Sequence, residues 1–427
     1  MSRVVIVGAG VVGLMSGYEL RRSGFDVTIV DRAQPGRGSS WANMGWIVPS
    51  FARPLPAPGL ISSSLRWMFD RAGPLYIAPR ADPALARWLW SFWRHCNERD
   101  HQAGLEALAQ LAAPTTAVLD RMRAEGLEFE MHRAGVLFLF LSRRARDEVY
   151  RNLAFMARNG EGPRALDRAE VEAMEPRVQP EVTCGIVVRQ ERHLRPESLV
   201  AGLERQLRDM EVLIRGGVDV TGARLRGSGG ATRAGPGRAR TPREVTALAT
   251  PAGDVAGDLF LLAAGAGTGL LARALGVSLP VQGGKGYTIT IGRPAWRPAH
   301  ALYLDEARIA WSPFADALRV GGTMEFSGFN TAVDRRRLDA IRAGSGRYLR
   351  GWPDGREETF WAGLRPLTPD GLPVLGRLPG YSNVFVATGH GMLGITLAPA
   401  TAAVMAQLLR AEDPGIDLTP FRPDRFT

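Results

Sequence analysis

The stretch from Arg3 to Arg32 constrains the fold more than any other. It runs Val4-Val5-Ile6-Val7, then Gly8-Ala9-Gly10-Val11-Val12-Gly13, then Leu14 to Ser23, then Gly24, then Val27-Thr28-Ile29-Val30-Asp31. A short apolar run, a G-x-G-x-x-G, a helix-length segment and a second apolar run ending in an acid predict a β-α-β unit. Gly8 allows the tight turn out of the first strand, from Val7. Gly10 has no Cβ, so a pyrophosphate can approach the backbone. Gly13 lets the helix pack close to the sheet. The unpaired N–H groups of the helix start, across Ala9, Val11 and Val12, face the phosphates, and the helix dipole favours their charge. Asp31, followed by Arg32, ends the second strand, where a carboxylate can take both hydroxyls of an adenosine ribose. The competing reading is a Gly-rich turn without a ligand, and the strand before and helix after it weigh against that. The motif alone leaves FAD and NAD open.

At 427 residues the chain is long for one core, and two domains are the natural division. Its 50 glycines and 45% hydrophobic content suit a loop-rich α/β protein. The net charge is +10, carried almost wholly by arginine, with Lys285 the one lysine. Such basicity fits nucleic acid or an anionic surface. No dense arginine run carries interleaved aromatics, so the charge reads as scattered over the surface and no nucleic-acid partner is expected. Cys96 and Cys184 have neither metal-ligand nor disulfide-framework spacing, so no metal is expected. No apolar run reaches the ~18 residues of a membrane span. A cytoplasmic chain is expected.

After Arg32 comes a Gly- and Ser-rich loop, Ser39-Ser40-Trp41-Ala42-Asn43-Met44-Gly45-Trp46. Its small residues let backbone run against a flat ligand, and Ser39, Ser40 and Asn43 can donate to one. An ordinary Gly/Ser loop explains the composition equally well. Ser-Ser-Trp-Ala-Asn-Met-Gly, so soon after a dinucleotide fingerprint, resembles the flavin-contacting loop of the D-amino-acid oxidase superfamily. Within it the match is closest to the bacterial D-amino acid dehydrogenases. The resemblance implies that Ser39, Ser40, Ala42, Asn43, Gly45 and Trp46 run beside the pyrophosphate and isoalloxazine of FAD.

Residues 51–95 are rich in Pro and Trp, with Trp67, Phe69, Trp88, Trp90, Phe92 and Trp93. Aromatic packing between domains competes with a patch touching a membrane or partner. The matching dehydrogenases are peripheral membrane proteins feeding a respiratory chain, which supports the patch on the inner face of the cell membrane. Gly104 to Glu125 reads as one amphipathic helix, Gly135 to Leu141 as a buried strand, and Arg143 to Gly160 as a helix. His193 to Leu207 is a helix with Pro196 in its first turn. Strands are predicted at Val212–Arg215, Val218–Val220 and Ala223–Leu225, and the resemblance places the Val220 backbone against adenine. The Gly/Arg-rich stretch from Arg224 to Arg243 reads as a mobile hairpin loop. Asp258 to Ala264 is a buried parallel strand ending in small residues, with Ala264 and Gly265 abutting the ligand. Strands at 286–291, 309–311 and 318–326 suggest a mostly antiparallel second sheet.

The carboxyl-terminal block is the second strong signal: Gly363-Leu-Arg365-Pro366 through Gly376, then Gly389-His390-Gly391-Met-Leu-Gly394-Ile395-Thr396 and a helix. Arg365, flanked by Gly and Pro, is suited to gripping a carboxylate with two parallel hydrogen bonds. The block resembles glycine oxidase and D-amino acid dehydrogenase, whose matching arginine binds the substrate carboxylate. Tyr287 is a candidate second donor to that carboxylate. His390 is placed to contact flavin or substrate, or is a turn residue. Sarcosine oxidases of the superfamily carry FAD on a cysteine near this turn. Neither cysteine here lies there, so noncovalent FAD is expected.

The fold expected is α/β in two domains. A Rossmann-like FAD-binding domain with a parallel sheet takes residues 1–85, 145–275 and 360–427. A substrate domain with a mixed or antiparallel sheet and helices takes 86–144 and 276–359. The activity implied is oxidative deamination of a D-amino acid. Hydride passes from Cα to flavin N5, water releases ammonia and a 2-oxo acid, and electrons go to a quinone or other acceptor. Oxidation of glycine, sarcosine, proline or hydroxyproline is the alternative.

Overall fold

The computed structural model describes residues 1–60, 73–157, 162–227 and 242–426. Strand Arg3–Val7 leads through the glycine turn into helix Val11–Arg22 and back along strand Asp26–Val30. The two strands run parallel, with Val4 opposite Val27 and Ile6 opposite Ile29. The helix stops where Gly24 takes φ +87°. There the Phe25 N–H returns to the Leu20 carbonyl and the Gly24 N–H to that of Arg21, a closure that requires a left-handed residue.

Around this unit six strands form one sheet, in the order Leu213–Arg215, Asp26–Val30, Arg3–Val7, Leu259–Leu262, Val384–Thr388 and Val374–Arg377. The first five are parallel and the last is antiparallel. The parallel strands are runs of Val, Ile and Leu because both faces are covered, one by helices and the other by a small antiparallel sheet carrying Val245, Leu248 and Val255 together with Ala272 of a short helix. Helix Val11–Arg22 packs on helix Gly394–Leu409, and Leu14, Met15, Leu397 and Met405 share one core.

The second sheet has nine strands. Its centre is the long strand Gln282–Gly292, antiparallel to Glu357–Leu367 on one side and Ala317–Phe326 on the other. Two pairings are parallel: Ala301–Leu304 with Val136–Phe140, and Leu75–Ile77 with the end of Ala317–Phe326. The sheet is therefore mixed.

Strand pairing groups the segments differently from the expected boundaries. Leu75–Ile77, Arg164–Leu166, Cys184–Val188 and Glu357–Leu367 all pair in the nine-stranded sheet. Helices Glu98–Ala112 and Thr115–Ala124 instead put Leu108, Leu111 and Leu119 into the core beneath the six-stranded sheet. The single helix expected over Gly104 to Glu125 is these two helices. Pro114 separates them, because its ring cannot accept a helix running through it. Val218 to Val220 forms no strand and is held by the Val218 N–H on the Asp31 carbonyl at 2.9 Å. Gly222–Leu225 and Val245–Ala249 make the expected hairpin, while most of its loop lies outside the described residues.

The aromatic segment divides. Trp67 and Phe69 lie outside the described residues. On helix Pro83–Arg94, Trp88 and Phe92 are buried and stacked with centroids 5.3 Å apart. Trp90 and Trp93, also 4.8 Å apart, are 61% and 50% exposed. Among the described residues no helix is long and apolar enough to cross a membrane.

Candidate active site

Both sheets wall a single cavity of about 2010 Å³. Sites for drug-sized ligands occupy roughly 300–1,000 Å³. This one has the volume for an extended dinucleotide together with a small substrate.

One end is the glycine turn, where Val7, Gly8, Gly10, Val11 and Val12 line the wall beside Asp31 and Arg32. Gly8 sits at φ +114° with any Cβ 2.4 Å from the Ala263 carbonyl oxygen. A Cβ on Gly13 would lie 1.8 Å from the Gly8 carbonyl oxygen, so only glycine lets the helix sit this close to the turn. The Asp31 carboxylate accepts the Ala9 N–H at 2.7 Å and the Ala33 N–H at 2.8 Å. Each oxygen keeps lone-pair capacity for a hydroxyl. Ala9 and Gly13 are not on the cavity wall. Ala9 acts through its N–H on Asp31, and Gly13 through packing. Further along, Val220, Ala264 and Gly265 line the same wall, and Thr388 Oγ1 donates to the Gly265 carbonyl at 2.9 Å.

The Ser39–Trp46 loop bridges the two ends. Ser39, Ser40, Asn43, Gly45 and Trp46 line the cavity. Their polar side chains are engaged within the protein. Ser39 donates to the Leu364 carbonyl on the second sheet, and Ser40 Oγ accepts the Val11 N–H at 2.8 Å. Asn43 donates to the Ser39 carbonyl at 3.0 Å and accepts the Gly45 N–H at 2.8 Å. Trp46 Nε1 donates to Ser312 Oγ at 2.9 Å. Ala42 is off the wall. It sits at φ +46° with its carbonyl accepting the Thr288 hydroxyl at 3.0 Å. Arg319, which the sequence reading missed, buttresses the loop. It is 2% exposed, donates to the Asn43 carbonyl at 2.9 Å and pairs with Glu197 at 2.5 Å. Its only sequence signal is an arginine inside an otherwise apolar strand.

At the other end, Arg365 stands on strand Glu357–Leu367 opposite Gly284. A Cβ on Gly286 would fall 2.2 Å from Arg365 Nη2, so the guanidinium lies on a glycine shelf. Gly363, also on the wall, leaves the same room for the Trp361 ring. Arg365 Nη1 donates to the Thr323 carbonyl at 2.7 Å. Thr323 sits at φ +63°, a strained conformation for a β-branched residue. Among the described residues Arg365 pairs with no carboxylate. Burial lowers its pKa to about 10, against a nearby Tyr303 and with a push from Arg337, and it stays charged at neutral pH.

His390, Gly389 and Gly391 form the facing turn, followed on the wall by Gly394 and Ile395. His390 Nε2 lies 3.0 Å from Thr401 Oγ1, and burial lowers its pKa to about 4, so the ring is neutral. Two expected site residues point elsewhere. Tyr287 is fully buried, and its hydroxyl donates to Glu325 Oε2 at 2.7 Å. Side chains alternate along a strand, and with Gly286 facing the cavity Tyr287 must face the opposite core. Thr396 ties the helix to the loop: its hydroxyl donates to the Trp46 carbonyl at 2.9 Å and accepts the Val48 N–H at 3.2 Å. Residues that the sequence reading did not single out, Tyr303, Thr323 and Trp361, line the cavity instead. Neither cysteine does; Cys184 is in the second-sheet core and Cys96 is half-buried.

Comparison with known proteins agrees with this geometry. The chain is 31% identical over 441 aligned residues to a D-amino acid dehydrogenase of Rhizorhabdus wittichii, covering 99% of this chain and 100% of that one. It is 33% identical to a D-amino acid dehydrogenase of Cereibacter sphaeroides, covering 99% and 95%. The fold matches glycine oxidase from Geobacillus kaustophilus with a TM-score of 0.75 at 22% identity, covering 100% of this chain and 99% of that one. It matches L-proline dehydrogenase from P. horikoshii with a TM-score of 0.74 at 16% identity, covering 100% and 97%. Residues 3–408 match the family described as DAO, FAD dependent oxidoreductase, and the chain belongs to that family.

Proposed function

We propose that this protein is an FAD-dependent dehydrogenase of free amino acids, with D-amino acids as its substrates and a quinone or other carrier as electron acceptor. The observation that carries the reading is Arg365: a cation with no carboxylate partner among the described residues, held in the same cavity as the dinucleotide turn. The residues present fit FAD. The glycine faces of Gly265 and Gly394 are open, with no atom within 4 Å of a built Cβ, and Asp31 stands at the adenosine end. With no cysteine on the wall, the cofactor is held noncovalently.

Bound FAD supplies the two-electron oxidation of the Cα–N bond. The chain binds and orients. Arg365 fixes the substrate carboxylate through Nε and Nη2, the nitrogens not used on Thr323 and Met324, which sets where Cα sits. The apolar rings of Phe51 and Trp361 restrict water around the reacting carbon. The amine enters neutral, so its lone pair can form the imine as hydride leaves. His390, neutral and hydrogen-bonded to Thr401, adds no charge to the site beside the amine. The exposed pair Trp90 and Trp93 lines the cavity rim and supports a peripheral contact with a membrane surface.

Anaerobic mixing of the yellow protein with a panel of D-, L- and N-methyl amino acids tests the reading. Bleaching by D-amino acids is expected. Bleaching by glycine, sarcosine or proline alone transfers the protein to the secondary-amine and glycine branch. No bleaching by any of them removes the proposal.

A further inference from the structure

The interior arginines fall into two groups. Arg319 pairs with Glu197 at 2.5 Å and Arg425 with Asp370 at 2.7 Å. Each charge is matched, as a buried cation must be. Arg365 and Arg53 are not matched this way, and both line the cavity.

Arg53 follows the short turn Pro49–Phe51, and its guanidinium lies 4.6 Å from the centroid of the Phe51 ring. Among the described residues it has no hydrogen-bond or ion-pair partner. Burial lowers its pKa; Tyr303, Asp305 and Glu148 support the charge and Arg308 opposes it. Asp305 is already paired with Arg308, and Glu148 sits on an exposed helix face between Arg144 and Arg151. An arginine remains protonated whatever its surroundings. This cation is therefore held in a confined space without an anion of its own.

Its place in the cavity decides which anion it awaits. The glycine turn that faces phosphate is walled by Ala263, Asp31 and Ser40. Arg53 instead lies over the Phe51 ring, whose centroid is 5.3 Å from that of Tyr303 on the nine-stranded sheet. Arg53 thus lines the cavity together with Phe51, Tyr303 and Arg365.

We propose that the preferred substrate carries a second carboxylate: an amino dicarboxylic acid held by Arg365 at its α-carboxylate and by Arg53 at its distal one. This rests on the reading of the site as an amino acid dehydrogenase. The chemistry at Cα is unchanged, and the product is the corresponding 2-oxo dicarboxylic acid with ammonia. Arg144, Glu148 and Arg151 line the same cavity, a net positive group that draws dianions in.

The test compares each acid with its near-isosteric amide: D-glutamate with D-glutamine, and D-aspartate with D-asparagine, by anaerobic flavin reduction. A charge-assisted pair at Arg53 predicts roughly a 10- to 100-fold preference in kcat/KM for one of the acids. Arg53→Met should bring that ratio close to one. A binding readout runs alongside. Succinate should perturb the visible spectrum of the oxidised flavoprotein at concentrations at least about tenfold below butyrate. If Arg53→Met fails to fold, Arg53→Lys and the wild-type ratios still decide. Wild-type protein that reduces with D-alanine yet prefers the amides, or binds succinate no better than butyrate, overturns the dicarboxylate proposal and leaves the dehydrogenase reading standing. Protein reduced by no amino acid at all overturns both.

Discussion

The two ends of the cavity are built on opposite plans. The dinucleotide end comes from one contiguous stretch, Arg3 to Arg32, and works through backbone: a left-handed glycine, a close-packed glycine and N–H groups held by Asp31. The reacting end is assembled from strands far apart in the chain and works through side chains, with Arg365 laid across Gly286 and fastened to Thr323. A backbone site demands particular residues mainly where a Cβ cannot fit. A side-chain site demands them wherever charge or shape is read. Substitutions at the two ends should therefore fail differently, one losing cofactor and the other losing substrate.

The largest effect is expected at Gly13. Gly13→Val puts a branched side chain where even a Cβ would be 1.8 Å from a carbonyl oxygen, so the purified protein should hold almost no flavin. Full flavin stoichiometry in that variant, read from absorbance, would show that the turn is not as tight as described. Next comes Arg365→Leu. Flavin content should be normal while kcat/KM for amino acids falls roughly 100- to 1,000-fold, the loss of a two-pronged charged contact. A variant that also lost its flavin would erase the contrast between the ends. Asp31→Ala frees the Ala9 and Ala33 N–H groups and removes the ribose acceptor. FAD dissociation should rise about 10- to 100-fold, with KM for substrate unaltered once FAD saturates.

Smaller effects sharpen the assignment of residues behind the wall. Tyr287→Phe deletes the hydroxyl on Glu325 and should lower stability by about 1–3 kcal/mol with KM unchanged. A raised KM would return Tyr287 to the substrate. The mildest is the acid response of stability. Burial holds His390 and His193 near pKa 4, whereas the unfolded chain takes up those protons near 6.5. Between these values the unfolded state binds more protons, so stability is lost as pH falls from about 6.5 towards 4. Melting temperatures across that range should drop, and His390→Gln should flatten the slope.

The same contrast explains what the sequence disclosed. The β-α-β unit was legible because its parts are local: periodicity, a glycine spacing and a terminal acid lie within one short stretch. That Arg365 lines the cavity was legible through the Gly and Pro around it and through family resemblance. Tyr287 was misplaced because facing depends on register. It alternates with Gly286, and only the pairing of Gln282–Gly292 with its neighbours shows which of the two meets the cavity. Thr396 was misplaced because a helix-start threonine resembles a ligand contact, whereas its hydroxyl is shared between Trp46 and Val48. Tyr303, Thr323 and Arg53 left no local signal, since each matters through partners on other strands. The helix break at Pro114 was readable from the residue itself and was overridden by the leucine periodicity around it.

As proposed, Arg365 reads the carboxylate of a substrate oxidised in this cavity. The direct measurement is anaerobic flavin reduction by D-alanine and by D-alaninamide, in the wild-type protein and in Arg365→Leu. The wild-type protein should favour D-alanine over the amide by roughly 100-fold or more, and the variant should lose that preference while remaining yellow. A preference that survives intact in Arg365→Leu would show that another group binds the carboxylate.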